Sequence, residues 1–358
     1  MWTSEKAWAN PGLVLMAAKD RRDVVEGLVP DQGVTWLYGA SMSFKSFVAM
    51  SMAAAVSRGA DWLGLQTQQG AVLYVGAEGG ASLHVRRAGA EIAGGGSGPV
   101  CVATERPLLD TPEGQGVLRE MIFGLTAGFV ELTTHVPDTS KMRYVPDVDG
   151  FELGSTLLVV IDTYSQTSAG DDKTNVSAYI KGLRDMIDEA DAGGQRLSFL
   201  VIDHATKAGG SYMGSVAKLN DVDSQIEVVR NGQDMLATLH HRKAKDGLES
   251  APIAVELVQQ DLGYVNGYGK PVTTLVVQDG SRASRIAGLA DGKAAVLLAL
   301  LEDEGGRCED ATMRRLFAGH KSNEGIKVDS VAKAYKRAKE TLIERGAINV
   351  RGFVLSVA

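Results

Sequence analysis

Cysteine is nearly missing from this sequence. Cys101 and Cys308 are the only two in 358 residues, which excludes a disulfide framework and a cysteine-rich metal site and makes a reducing cytoplasm the expected setting. Positive charge is also short. With 37 Lys and Arg against 44 Asp and Glu, the formal net charge is -7. A protein that coats nucleic acid by bulk charge is thereby excluded, and any such contact must be local. Apolar runs of membrane-spanning length are missing too, and the opening "MWTSEKAWANPG" lacks the basic-then-apolar order of an export signal. No membrane partner is expected.

What is present is enough apolar residue for a sizeable core and, from the length, about two domains. Short β-branched runs recur: "VTWLY" from Val34, "AVLYVGAE" from Ala71, "LLVVIDT" from Leu157 and "LSFLVIDH" from Leu197. Strands so uniformly apolar are buried on both faces, which predicts an α/β fold with a mostly parallel sheet flanked by helices. From Ile226 to Gln278 the runs are separated by turn residues and read as hairpins that extend the sheet.

The Gly, Ser and Ala-rich "DGSRASRIAGLADG" predicts a linker at 281–291. Beyond it, three helical stretches and the two-stranded "AINVRGFVLSV" give the order of a winged helix over 292–358. Residues 1–30 read as an N-terminal segment and 31–280 as the core. Within the core, 125–154 is long for a connection and is a candidate inserted hairpin.

The octamer "GASMSFKS" from Gly39 to Ser46 lies between a predicted strand and a predicted helix. A nucleoside triphosphate needs inward-pointing backbone N–H groups, a lysine on the outer phosphates and a hydroxyl on magnesium. Gly39, Ala40, Ser41, Met42, Ser43, Phe44, Lys45, Ser46 and Phe47 are candidates for that cradle. Met42 and Phe44 stand where a phosphate loop commonly has permissive glycines, so the octamer alone also reads as a strand-to-helix turn with a solvated lysine. Met42 and Phe44 pose a backbone question: with Phe44 at ordinary helical angles the loop can close without glycine there, its ring packed beneath.

Three further strand ends carry chemistry. Glu78 ends the second run, Asp162 the third and His204 the fourth. In open α/β sheets, ligands collect at the carboxyl edge, where all of these would lie with Gly39.

Taken together, these motifs resemble the RecA-like P-loop ATPases, and among them the RepA-type hexameric helicases of phages and plasmids, over residues 24–280. The resemblance implies ATP and Mg2+ as ligands: Lys45 on the β and γ phosphates, Ser46 and Asp162 on magnesium, Glu78 polarising the attacking water and His204 sensing either the γ phosphate or the state of the DNA. The family often has two adjacent histidines where this chain has Asp203-His204. "HHRKAKDG" resembles a basic turn that reaches into a neighbouring subunit's site, which makes Lys243 and Lys245 candidate fingers in trans.

Two segments resemble the family's channel loops. They suggest Lys173, Lys207, Tyr212 and Lys218 as contacts to single-stranded DNA. In the C-terminal unit, Lys333, Lys336 and Arg337 crowd one predicted helix, either to meet DNA phosphates or as the solvated face of a docking module. The implied function is an oligomeric, DNA-dependent ATPase, a replicative helicase forming a hexameric ring with other replication proteins as partners. A recombination or annealing protein that uses ATP as a switch, and a nucleotide-sensing DNA-binding regulator, are the alternatives.

Overall fold

The computed structural model describes residues 23–78, 80–126, 156–205, 218, 220–232, 234–281, 292–320, 327–344 and 347–357. The chain divides into two compact units, Met1–Asp279 and Gly280–Ala358. Most of the candidate insertion and of the expected linker lie outside the described residues, as do residues 1–22.

The first unit is α/β. Its strands are β1 (Val34–Gly39), β2 (Ala71–Gly76), β3 (Val100–Ala103), β4 (Thr156–Asp162), β5 (Arg196–His204), β6 (Ser224–Arg230), β7 (Leu236–Ala244), β8 (Ile253–Val265) and β9 (Pro271–Asp279). They form one sheet in the order β3-β2-β4-β5-β1-β6-β7-β8-β9. The six strands from β3 to β6 are parallel, and β7, β8 and β9 continue antiparallel. The region from Ile226 is thus a mixture. β6 is a parallel neighbour of β1 and also opens the expected hairpins, since it pairs antiparallel with β7.

Every residue of β1 and β2 is buried because both faces are covered. Helices α1 (Lys45–Arg58) and α2 (Ser82–Ala93) follow β1 and β2, and α3 (Pro112–Thr126) follows β3. The one-turn α4 (Tyr164–Thr167) and the long α5 (Lys173–Ala192) lie between β4 and β5. Alternate strand residues feed opposite cores, as the two-residue period of a strand requires. Leu37, Tyr74, Val160 and Ile202 meet Val48 and Met52 of α1 on one face. Trp36, Val75, Ile161 and Val201 meet Leu118 of α3 and Tyr179 and Leu183 of α5 on the other. Val24, Val25, Leu28 and Val29, from the segment before β1, are also buried in the first core.

The second unit contains α6 (Gly292–Asp303), β10 (Arg307–Glu309), α7 (Asp310–Gly319), α8 (Val328–Glu344), β11 (Ile348–Arg351) and β12 (Val354–Val357). Leu297, Leu301, Phe317, Tyr335, Leu342 and Leu355 make its core. The expected hairpin is present, but β10 adds a third, antiparallel strand in the order β10-β12-β11.

Candidate active site

Parallel strands put their carboxyl ends on one edge. The register sets Gly39 beside His204 and Gly76 beside Asp162, so the phosphate-loop candidate, Glu78, Asp162 and His204 share that edge.

The loop begins at a position only glycine fits. A Cβ on Gly39 would lie 2.3 Å from the Val228 carbonyl oxygen and 2.8 Å from Ser43 Oγ. Met42 and Phe44 both take left-handed angles, at φ 63° and 72°. The backbone question at Phe44 is thereby answered: it does not take ordinary helical angles, and side-chain-bearing residues occupy the conformation that glycine usually supplies. Packing accounts for Phe44. Its ring lies against the first core, and the Arg230 guanidinium sits 4.6 Å from the ring centroid. Met42 has no such anchor and is 78% exposed. Val48 N donates to Phe44 O at 3.0 Å, so α1 starts directly behind the loop.

The Lys45 side chain turns back into this loop. Its Nζ donates to the carbonyls of Gly39 at 2.9 Å and Ala40 at 2.8 Å and lies 3.4 Å from His204 Nδ1. Burial pushes the ammonium down to about 8, against the pull of Asp162, Asp203 and Glu78. His204 Nε2 is 3.9 Å from Glu78 Oε1, and the same oxygen accepts from Thr163 Oγ1 at 2.9 Å. Lys45, His204 and Glu78 thus form a continuous polar chain across three strand ends.

Asp162 is the buried acid of the edge. Its Oδ2 accepts from Tyr74 OH at 2.7 Å. Burial raises its carboxyl, while the Tyr74 and Ser46 hydroxyls oppose the shift. The other oxygen, Oδ1, is buried without a hydrogen-bond partner, and so is Ser43 Oγ. A buried carboxylate oxygen left unmatched beside the Ser46 hydroxyl suits a divalent cation. Among the described residues no group of three or more His, Cys, Asp or Glu could hold a metal by itself. The donor set therefore fits a cation that takes its remaining oxygens from phosphate and water, as Mg2+ does.

Tyr74 and Arg86 belong to this site and were missed in the sequence. Arg86 stacks 4.8 Å from the Phe47 ring centroid and acts electrostatically on Asp162. Tyr74 is one position in an apolar strand run, so only its facing of Asp162 across the β2–β4 pair reveals it.

The remaining candidates scatter. Lys207 and Tyr212 lie outside the described residues. Lys173 is exposed on the first turn of α5, where Asp172 caps the helix by accepting from Thr174 N and Asn175 N. Lys218 is not a surface cation. It is 2% exposed, its Nζ 2.8 Å from Asp203 Oδ2 and paired also with Asp171. A charge held by two carboxylates inside the protein does not reach a DNA backbone, and that expectation is withdrawn.

Lys243 lies within β7 and Lys245 just past it, so they belong to a strand and its end rather than to a bare turn. Lys243 Nζ donates to Asn220 O and Val222 O. Lys245 Nζ is 3.1 Å from Asp223 Oδ1. Burial works against the Asp223 charge, yet the Val34 amide, Arg184 and Lys245 hold its carboxyl below the usual value. In the second unit Lys333, Lys336 and Arg337 are exposed on α8, with Lys336 3.9 Å from Glu340.

Residues 14–210 match the family described as the AAA domain. No curated protein matches the chain. Among solved structures, one described as an ATPase domain is similar with a TM-score of 0.47 at 10% identity, over 76% of this chain and 99% of that one. Among the described residues, no helix is long and apolar enough to cross a membrane.

Proposed function

The chain belongs to the AAA domain family, and from that premise we propose that it is an oligomeric ATPase of the RepA-like helicase type that moves along single-stranded DNA. The observation that carries this reading is the convergence of Lys45, Glu78, Asp162 and His204 on the one edge that holds the Gly39–Ser46 loop.

In this reading Lys45 exchanges the carbonyls of Gly39 and Ala40 for the outer phosphates of ATP, which restores a full partner to its buried charge. Ser46 and Asp162 would hold magnesium, which supplies charge neutralisation on the phosphates. Glu78, oriented by Thr163 Oγ1, accepts the proton of the attacking water. His204 stands between Lys45 and Glu78 and registers whether the γ phosphate is present.

The two trans candidates are far from this pocket in their own chain. Lys245 N donates to Asp223 O and Asp223 N to Val34 O, which places Lys245 level with the first residue of β1. The loop leaves from the last, roughly 16 Å away along the strand. That separation supports action in a neighbouring copy and thus a ring. Lys173, and Lys333 with Arg337 on the proposed winged-helix unit, are the DNA contacts of this reading.

The test is single-stranded-DNA-stimulated phosphate release together with strand displacement from a forked duplex. A closed six-fold ring on electron microscopy and displacement under ATP are expected. Pairing of complementary strands without displacement would make the protein an annealing factor. Specific duplex binding without any stimulated hydrolysis would make it a regulator.

A further inference from the structure

The groove between α7 and α8, a cavity of about 570 Å³ lined by Val331, Tyr335 and Ile343, has no feature that names an occupant. The buried Lys218 cluster offers more. Its ammonium lies 4.0 Å from the Tyr164 ring centroid and is paired with Asp203 and Asp171. Gln225 Nε2 donates to its carbonyl at 2.8 Å, which ties it to β6. Three parts of the chain therefore meet at one residue: the tip of β5 and the segment between α4 and α5 at its ammonium, and β6 at its carbonyl.

Each partner leads elsewhere. Asp203 Oδ1 accepts from the backbone N of His204 at 2.8 Å, and His204 contacts Lys45 and Glu78 in the nucleotide pocket. In the other direction, Asp171 is two residues from the exposed Lys173. Its segment is stiffened where Tyr164 OH and Ser168 Oγ both donate to Gly170 O, and where Ala169 N donates to Asp110 Oδ2. The Trp36, Tyr164 and Tyr179 rings pack against one another tilted or edge to face, at centroid distances of 4.9 to 6.2 Å. A stiff, low-dielectric floor keeps the ion pairs strong and their geometry fixed.

We propose that Lys218 is the positioning residue that couples the nucleotide pocket to the DNA-facing segment at Asp171–Lys173, with Asp203 shared between Lys218 and His204 as the joint. The proposal rests on the functional reading above. A shift of His204 when phosphate engages Lys45 changes the Asp203 carboxylate that Lys218 holds, and Lys218 passes the change to Asp171. The same contacts carry the effect back when DNA displaces the segment, since coupling between two binding sites is reciprocal.

Lys218→Met would strand Asp203, so the informative variant is Asp171→Asn. Asp171 is half exposed, and its amide leaves the Lys218–Asp203 pair in place. Oligothymidylate is the probe, with hydrolysis measured with and without it and its affinity measured in ADP and in a non-hydrolysable ATP analogue. Asp171→Asn is expected to keep basal hydrolysis and melting temperature while the stimulation factor falls about fivefold or more, the lower end of what such a coupling carries. Its affinities in the two nucleotides should also converge, and Asp171→Glu should restore part of both effects. Stimulation equal to wild type in Asp171→Asn would overturn the coupling and leave the functional reading standing. A wild-type protein that oligothymidylate does not stimulate would overturn both.

Discussion

Two lysines are buried to almost the same depth in the first unit and are held in opposite ways. Lys45 meets two backbone carbonyls and a histidine nitrogen. Lys218 meets two carboxylates and an aromatic face. A buried cation whose direct contacts carry only partial charges, with carboxylates acting from further off, retains much of its desolvation cost, which an arriving polyanion relieves. One that already has its counter-ions gains nothing from a ligand. That is the difference expected between a lysine proposed to bind polyphosphate and one held as structure, although both follow a strand in a polar, glycine-bearing segment.

Exchanging each lysine for alanine tests that contrast most strongly. Lys218→Ala leaves Asp203 buried and without its cation, so a loss of about 3–5 kcal/mol is expected in denaturant titration. A change under about 1 kcal/mol, the range of an exposed pair, would show that Lys218 is not the satisfied partner described. Lys45→Ala should reverse the pattern: phosphate release falls by about 10²–10³ or more, with no comparable loss in the same titration. Retained turnover would remove Lys45 from the chemistry.

A third measurement uses the depressed Lys45 ammonium, at about 8 in the free protein. Polyphosphate favours the charged form and raises that value, so binding takes up a proton where the free lysine is neutral. Affinity should be nearly level below about pH 8 and fall with rising pH above it, approaching about tenfold per unit. Titration calorimetry in two buffers of different ionisation heat reads the proton directly, and no uptake at about pH 9, one unit above the free value, would count against this assignment. The smallest effect is expected at Phe44→Gly. Relief of the left-handed backbone and loss of ring packing oppose each other, for a net change within about 1 kcal/mol. A much larger loss in thermal melting would show that the ring, more than the backbone, sets the loop.

The parallel part of the fold was legible because strands covered on both faces must be apolar throughout, and four such runs stood out. That Lys45, Glu78, Asp162 and His204 share one edge was legible because each lies at or just beyond the end of a parallel strand. Less could be read where a side chain's destination depends on a distant partner. Lys218 looked like a loop cation because "SVAKLN" carries no sign of burial, yet Asp203 offered a clue: an acid inside an apolar strand run needs a cation somewhere. Lys243 and Lys245 looked like fingers on a bare turn because Asp223 and the carbonyls that receive them lie well before them in the chain. The left-handed angles of Phe44 could not be read because tertiary packing can hold a residue where local preference would not place it. β10 escaped notice because so short a strand cannot show a two-residue period.

The position of Trp36 has a practical consequence. Its indole N–H points at Asp203 Oδ2 from 3.3 Å, and its ring lies 5.8 Å from the Lys218 ammonium. Indole emission responds to the electric field of nearby charges, so this side chain is a native fluorophore mounted on the joint itself. With Trp2, Trp8 and Trp62 replaced by Phe, the remaining emission should change on nucleotide addition and give the millisecond course of signalling without an attached dye.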